Sequence, residues 1–313
     1  MTVIKHLPSG EVQGALILPE KPNGLGVMVL TGSSGRVDVE RAERFAKLGA
    51  TALALRWWGG EDQPPGINLV PLETFICGID RLKAEGCDRI AILGTSFGAA
   101  AALLTAVKDA RIDYVIAISP SEVVWQNTGP GKDGAAWPPR STFTWREEPL
   151  PFIVWDPRVW PPFGTQNPVY RPTHELSLKT FEADVPAASI PVEQIRGEII
   201  LVAGRADALW PSDAAARRIV ERLERHGRTA TLVEHPHAGH SPVFPGETPL
   251  AAPAERAWGG TPAADRELGA AAWDLILRRL IGRADEAWGD VFAAPGADPR
   301  DRGQPETPTR KPV

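Results

Sequence analysis

Gly94-Thr95-Ser96-Phe97-Gly98 sets a serine midway between two glycines, the G-x-S-x-G spacing that can present a hydroxyl for attack on a carbonyl. A serine near its free pKa is a weak nucleophile, so it needs a base, and the base needs an acid to orient it. Of the six histidines, only His235, His237 and His240 follow a late strand-like run. His240 lies in Ala238-Gly239-His240-Ser241-Pro242, where the glycine frees the backbone to turn, and it is the candidate base. The candidate acid is Asp207, which follows Glu198–Gly204 (EIILVAG) directly and is the only carboxylate before Asp213. Asp213 reads as a helix N-terminal charge. Serine, acid and histidine then occur in the chain order that G-x-S-x-G hydrolases use.

The motif is weak alone, and its flanks give it meaning. An apolar run, Arg89–Leu93 (RIAIL), enters it and an alanine-rich stretch, Phe97–Val107, leaves it. That predicts a strand, a sharp elbow and a helix, with the helix N-terminus aimed at a developing oxyanion. Phe97 would give one backbone N–H to that oxyanion. The second is expected from Ser33 or Ser34 in Thr31-Gly32-Ser33-Ser34-Gly35, which follows the run Leu25–Leu30. A phosphate cradle is disfavoured there, because no Lys-Ser/Thr pair follows the loop. His235 and His237 flank a proline without a carboxylate or cysteine cluster, so no metal site is expected.

These residues need a scaffold of alternating strands and helices. Further strands are predicted at Val3–His6, Val12–Leu18, Thr51–Arg56, Tyr114–Ile118, Glu198–Ala203 and Thr229–Glu234. Helices are predicted at Glu40–Leu48, Pro71–Ala84, Ser212–His226 and Asp265–Ile281. The order implies an α/β-hydrolase fold with a mostly parallel central sheet and helices on both faces, spanning residues 1–284. Residues 120–190 break the alternation and carry prolines and five tryptophans, from Trp125 to Trp160. They are expected to form a cap or lid, with Trp125, Trp137 and Trp145, joined by Trp210, lining an apolar substrate pocket. Residues 285–313, rich in proline, glycine and charge, are expected to be a disordered tail.

Composition excludes several classes. A formal net charge of −5 gives no electrostatic reason to bind nucleic acid. No apolar run is long enough to span a bilayer, and the first residues lack a signal-peptide core. A cytoplasmic location is the resulting expectation. The two cysteines, Cys77 and Cys87, cannot make a disulfide framework.

The segments LTGSSGRVDVERAERFAKLGATALALRWWGG, PLETF, GTSFGAAAAL, IPVE…GEIILVAGRADALWPS and HAGHSPVFP resemble, in order, the C-terminal catalytic domain of acyl-CoA thioesterases and bile acid-CoA:amino acid N-acyltransferases. The resemblance covers roughly residues 25–282 and implies acyl thioester chemistry, with Ser96, Asp207 and His240 at the triad positions. In the vertebrate members a β-sandwich domain precedes the hydrolase, whereas here about two dozen residues precede the first core strand. The amino-acid-conjugating branch uses a cysteine nucleophile, so the serine at 96 favours water as acceptor. The reading is a serine hydrolase of an acyl thioester or ester, small molecules being its partners and no cofactor being required, with oligomeric state unassigned. Its rivals are an ester or lactone hydrolase of the dienelactone-hydrolase type, an acyltransferase to an amine or alcohol, and a non-catalytic binding protein. An aromatic pocket would favour apolar acyl groups over acetyl or succinyl ones.

Overall fold

The computed structural model describes residues 1–159, 167–251 and 255–282. In chain order, the first half comprises β1 (Val3–Leu7), β2 (Gln13–Leu18), β3 (Leu25–Leu30), α1 (Val39–Lys47), β4 (Thr51–Arg56), β5 (Val70–Pro71), α2 (Glu73–Ala84), β6 (Arg89–Thr95), α3 (Phe97–Lys108) and β7 (Tyr114–Ile118). The second half comprises β8 (Phe143–Trp145), β9 (Glu148–Pro149), α4 (Arg171–Thr180), α5 (Val185–Ala188), β10 (Glu198–Gly204), α6 (Ser212–Arg225), β11 (Thr231–His235) and α7 (Pro262–Ile281).

Eight strands form one sheet in the order β1-β2-β4-β3-β6-β7-β10-β11. The pairs from β4 to β11 are parallel, and β2 alone runs against the rest, pairing antiparallel with β1 and β4 at one edge. From β3 the chain crosses outward to β4, then returns over β3 to β6. The strand order therefore reverses between β3 and β6, and the crevice outside the carboxyl ends of these strands is where open α/β sheets bind ligands. The loop Thr31–Gly35 and the one-residue elbow at Ser96 leave from those two strand ends.

Strand residues alternate between two cores, as the two-residue period of a strand requires. On β3, Leu25, Val27 and Val29 face α1 and α7, where they meet Phe45, Leu268 and Trp273. Met28 and Leu30 face the other side, which α2, α3 and α6 cover with Phe75, Ile79, Leu103, Ile219 and Leu223. Because both faces are covered, the central strands read as unbroken apolar runs.

The boundaries follow the sequence closely, with local differences. Helix α7 begins at Pro262, not Asp265, because Thr261 caps it: its hydroxyl accepts the Ala264 N–H at 3.2 Å, and Pro262 fills the first turn. Strand β11 starts at Thr231, two residues later than Thr229.

The larger difference concerns residues 120–159 and 167–190, where the strand–helix alternation breaks but regular elements continue. Strands β8 and β9 join β5 in a three-stranded sheet, and α4 and α5 follow. Val123, Trp125, Phe143, Ile153, Trp155 and Ile190 belong to the core that covers one face of the main sheet. Helix α4 escapes hydrophobic periodicity because its buried face is Thr173, His174 and Ser177, while Leu176 points outward. Trp160, Trp288, Val291, Phe292 and the expected tail lie outside the described residues. No helix among those described is long and apolar enough to cross a membrane.

Candidate active site

Ser96 stands at the elbow between β6 and α3 with φ +62° and ψ −124°. A non-glycine residue rarely adopts such a backbone conformation, which costs of order 1–3 kcal/mol and persists only where the surroundings enforce it. Those surroundings are mainly backbone. A Cβ on Gly94 would sit 1.9 Å from the Gly98 carbonyl oxygen, and one on Gly98 would sit 2.6 Å from that of Thr31. Both glycines are thus required by close approach. The Ser96 N–H donates to the Ile118 carbonyl at 2.9 Å, tying the elbow to β7. Gly32 lies against the serine, and a Cβ there would come within 2.8 Å of Ser96 Cβ.

Behind the elbow, Arg41 of α1 donates from Nη1 to Thr95 Oγ1 at 3.2 Å and holds Glu247 through Nε and Nη2 at 2.7 and 2.8 Å. Burial pushes the Glu247 carboxyl up, but the charge and hydrogen bonds of Arg41 outweigh it and hold it below the ordinary range. The pair locks α1 and the 241–248 segment against the residue preceding Ser96.

Asp207 and His240 come together as a buried pair. His240 Nδ1 lies 2.8 Å from Asp207 Oδ2. Ser212 Oγ donates to the same oxygen at 2.6 Å, and the N–H groups of Leu209 and Trp210 donate to Oδ1 at 2.8 and 3.2 Å. Four donors around one carboxylate fix its orientation. With Nδ1 donating to Asp207, Nε2 is left as the basic nitrogen. His240 is itself held by its main chain: its N–H donates to the Trp258 carbonyl at 2.9 Å, and its carbonyl accepts Ser119 Oγ at 2.8 Å. Ser119 also accepts the Trp210 indole N–H on its carbonyl at 3.0 Å. Asp213 has another role. It sits in the first turn of α6 and pairs with Arg171 at 2.8 Å and Arg217 at 3.3 Å, joining α6 to α4.

Among the described residues, two cavities border Ser96. The larger, about 340 Å³, is lined by Ser33, Ser34, Arg36, Arg41, His240 and Arg256 among others. The smaller, about 160 Å³, is lined by Phe97, Trp155, Tyr170, His174, Trp210 and again Arg256. Ser33 borders both, Ser34 the larger and Phe97 the smaller.

The predicted tryptophan pocket is corrected in part. Trp210 does line the smaller cavity, but Trp125, Trp137 and Trp145 line neither. Trp125 is buried one layer back, its indole donating to Ser121 Oγ at 3.0 Å. Trp137 is 71% exposed. Trp145, on the three-stranded sheet, lies beside Lys108 and Arg146.

Sequence reasoning missed His174, which stands edge-on to Trp125, Trp155 and Trp210 at centroid distances of 4.8, 6.1 and 5.9 Å. Burial pushes its pKa down to about 4, so the ring is neutral at pH 7, and Nδ1 lies 3.0 Å from the Tyr170 carbonyl. It missed Ser119 too, although a polar residue just past a parallel strand was a signal to find it. Among the described residues, no group of three or more His, Cys, Asp or Glu side chains could hold a metal ion. The site brings a serine on a constrained elbow to the same cavity as a histidine held against a buried carboxylate.

Comparison with known proteins places this geometry. The family model described as "BAAT / Acyl-CoA thioester hydrolase C terminal" matches residues 79–280. Mouse bile acid-CoA:amino acid N-acyltransferase is 27% identical over 258 residues, covering 78% of this chain and 55% of that protein. Human acyl-coenzyme A thioesterase 1 is 25% identical over 284 residues, covering 86% of this chain and 62% of that protein. The chain thus spans little more than half the length of these curated relatives. Among solved structures, a dienelactone hydrolase candidate from Klebsiella pneumoniae superposes with a TM-score of 0.53 at 16% identity, covering 91% of this chain and 99% of that one. A dienelactone hydrolase-like promiscuous phosphotriesterase from metagenomic libraries gives 0.52 at 17% identity, covering 89% and 97%. These structures establish the α/β-hydrolase fold.

Proposed function

Because the chain belongs to the BAAT / acyl-CoA thioester hydrolase C-terminal family, we propose that it is a serine hydrolase that cleaves an acyl thioester or a related ester. One observation carries the reading above the others: Ser96, held at φ +62° on the elbow, borders the same cavity as His240, whose Nδ1 is 2.8 Å from a buried Asp207.

In the proposed cycle His240 Nε2 takes the Ser96 hydroxyl proton as Oγ attacks the carbonyl carbon. The oxyanion is met by the N–H of Phe97, the first of the unsatisfied donors at the start of α3, and by that of Ser33 or Ser34. As the tetrahedral intermediate collapses, His240 gives the proton to the departing thiol or alcohol. Water then enters, loses a proton to His240 and attacks the acyl carbon; as the second intermediate collapses, His240 returns that proton to Ser96 Oγ and the acid is freed. Asp207 holds the imidazole in its working tautomer throughout.

Relatives bearing the names of thioesterases and N-acyltransferases keep transfer to an amine as a second reading. A serine rather than a cysteine at position 96 supports water as the acceptor. Steady-state rates across acyl-CoA thioesters and matched oxygen esters, with and without glycine or taurine, test the reading. Ser96-dependent release of free acid is expected. Acyl-amide as the main product would replace hydrolysis by transfer, and no turnover of any acyl compound would remove both.

A further inference from the structure

The two cavities at Ser96 are not equivalent, and this inference rests on the hydrolase reading above. The leaving group must lie within hydrogen-bond reach of His240, its proton donor. His240 lines the larger cavity and is absent from the lining of the smaller one. The leaving-group limb therefore occupies the larger cavity, and the acyl limb runs past Phe97 into the smaller one.

Five ring-bearing residues line that smaller cavity: Phe97, Trp155, Tyr170, Trp210 and neutral His174. Glu255 and Arg256 are the charged residues on its border, and Arg256 also borders the larger cavity. Three arginines reach the neighbourhood of Ser96 through these cavities, and two are already neutralised, Arg36 by Asp38 at 2.7 Å and Arg41 by Glu247 at 2.7 Å. Among the described residues Arg256 pairs with no carboxylate. Its single polar contact there is Nη1 donating to Ser33 Oγ at 2.9 Å, on the loop expected to supply an oxyanion donor. Glu255 borders the same cavity but is exposed and forms no ion pair with it.

Arg256 is also held in place. The Ala257 N–H donates to the Pro168 carbonyl at 2.9 Å, and the Trp258 carbonyl accepts the N–H groups of His240 at 2.9 Å and Ala208 at 3.2 Å. A half-buried guanidinium fixed at the edge of this cavity, in no ion pair among the described residues, is a receptor for one planar anion. From this we propose that Arg256 recognises a carboxylate at the far end of a short acyl chain, so that the preferred substrates are thioesters or esters of short dicarboxylic acids. The aromatic walls grip the methylenes and Arg256 reads the terminus. This replaces the expected preference for plain apolar acyl groups.

The test compares glutaryl and valeryl thioesters of N-acetylcysteamine, which share five acyl carbons and differ in the terminal carboxylate. Wild type is expected to favour glutaryl in kcat/KM by roughly tenfold or more. Arg256→Gln should bring the ratio to about one, and Arg256→Lys should keep part of it. A wild-type ratio near one, or a ratio unchanged in Arg256→Gln, overturns the proposal. A preference for anionic thiols in the leaving group, with none in the acyl group, also overturns it. Quenching of tryptophan fluorescence by free glutarate and valerate reads the same site without turnover, so a failed hydrolase reading stays distinguishable. Tighter binding of glutarate in wild type, lost in Arg256→Gln, is expected; equal binding in both proteins contradicts the assignment.

Discussion

Gly94, Gly98 and Ser96 hold the back of the crevice through main-chain contacts, whereas His174, Trp155 and Trp210 form its front through ring packing. At the back, a Cβ on Gly94 would collide with a carbonyl oxygen at 1.9 Å, and no rearrangement of side chains relieves that. At the front, each ring touches another ring, and a change can be absorbed by its neighbours at a cost in shape. The difference predicts where changes abolish turnover and where they alter selectivity.

The largest effect is expected from Ser96→Ala, which should lower kcat by at least about 10³-fold without loss of fold, because the three residues act as a unit. Near-wild-type turnover in the folded variant would break the account at its back wall. Next, Asp207→Asn is expected to cost far more activity than Asp213→Asn. The first removes the acceptor of the His240 Nδ1 proton; the second removes a pairing with Arg171 and Arg217. Equal kcat values for the two variants would erase the distinction between them.

How far the two walls were legible follows from the same difference. The back wall is local in sequence: G-x-S-x-G, the Asp207 loop and the His240 loop each sit directly behind an apolar strand, so pattern and chain order reach them. The central strands of the sheet are legible for the same reason, since strands covered on both faces read as apolar runs. The front wall is assembled from residues far apart. Helix α4 buries Thr173, His174 and Ser177, and hydrophobic spacing gives no sign of a helix whose inner face is polar. Tryptophan counts are equally blind to direction. Trp137 and Trp125 lie in one segment, yet one is 71% exposed and the other 3%. Arg256 carries no motif, and only the fold shows that its neighbours Arg36 and Arg41 are already paired.

The front wall has its own signature in acid. His174 has a pKa of about 4 when folded, against an ordinary 6.5, so the unfolded chain binds its proton more tightly. Its contribution to stability is complete above pH 6.5 and is lost as pH falls from 6.5 towards 4. The loss should reach about 2 kcal/mol by pH 5. Chemical denaturation at pH 7 and pH 5 checks this, with His174→Gln expected to flatten the difference. A wild-type stability that is equal at the two pH values, or a loss retained in full by the variant, would refute the buried neutral ring.

The smallest effects separate the tryptophans. Trp155→Ala should shift the profile of kcat/KM against acyl chain length by several-fold, since the ring lines the smaller cavity. Trp137→Ala should leave that profile unchanged. The reverse result would move the acyl site to the other side of the molecule.

The central claim, that Ser96 is a nucleophile activated by His240, is tested most directly by a fluorophosphonate probe and peptide mass mapping. The adduct is expected on the peptide containing Gly94-Thr95-Ser96-Phe97-Gly98, one per chain, absent from Ser96→Ala and slowed by orders of magnitude in His240→Ala. An adduct on a different residue, or labelling at the wild-type rate in His240→Ala, would contradict it.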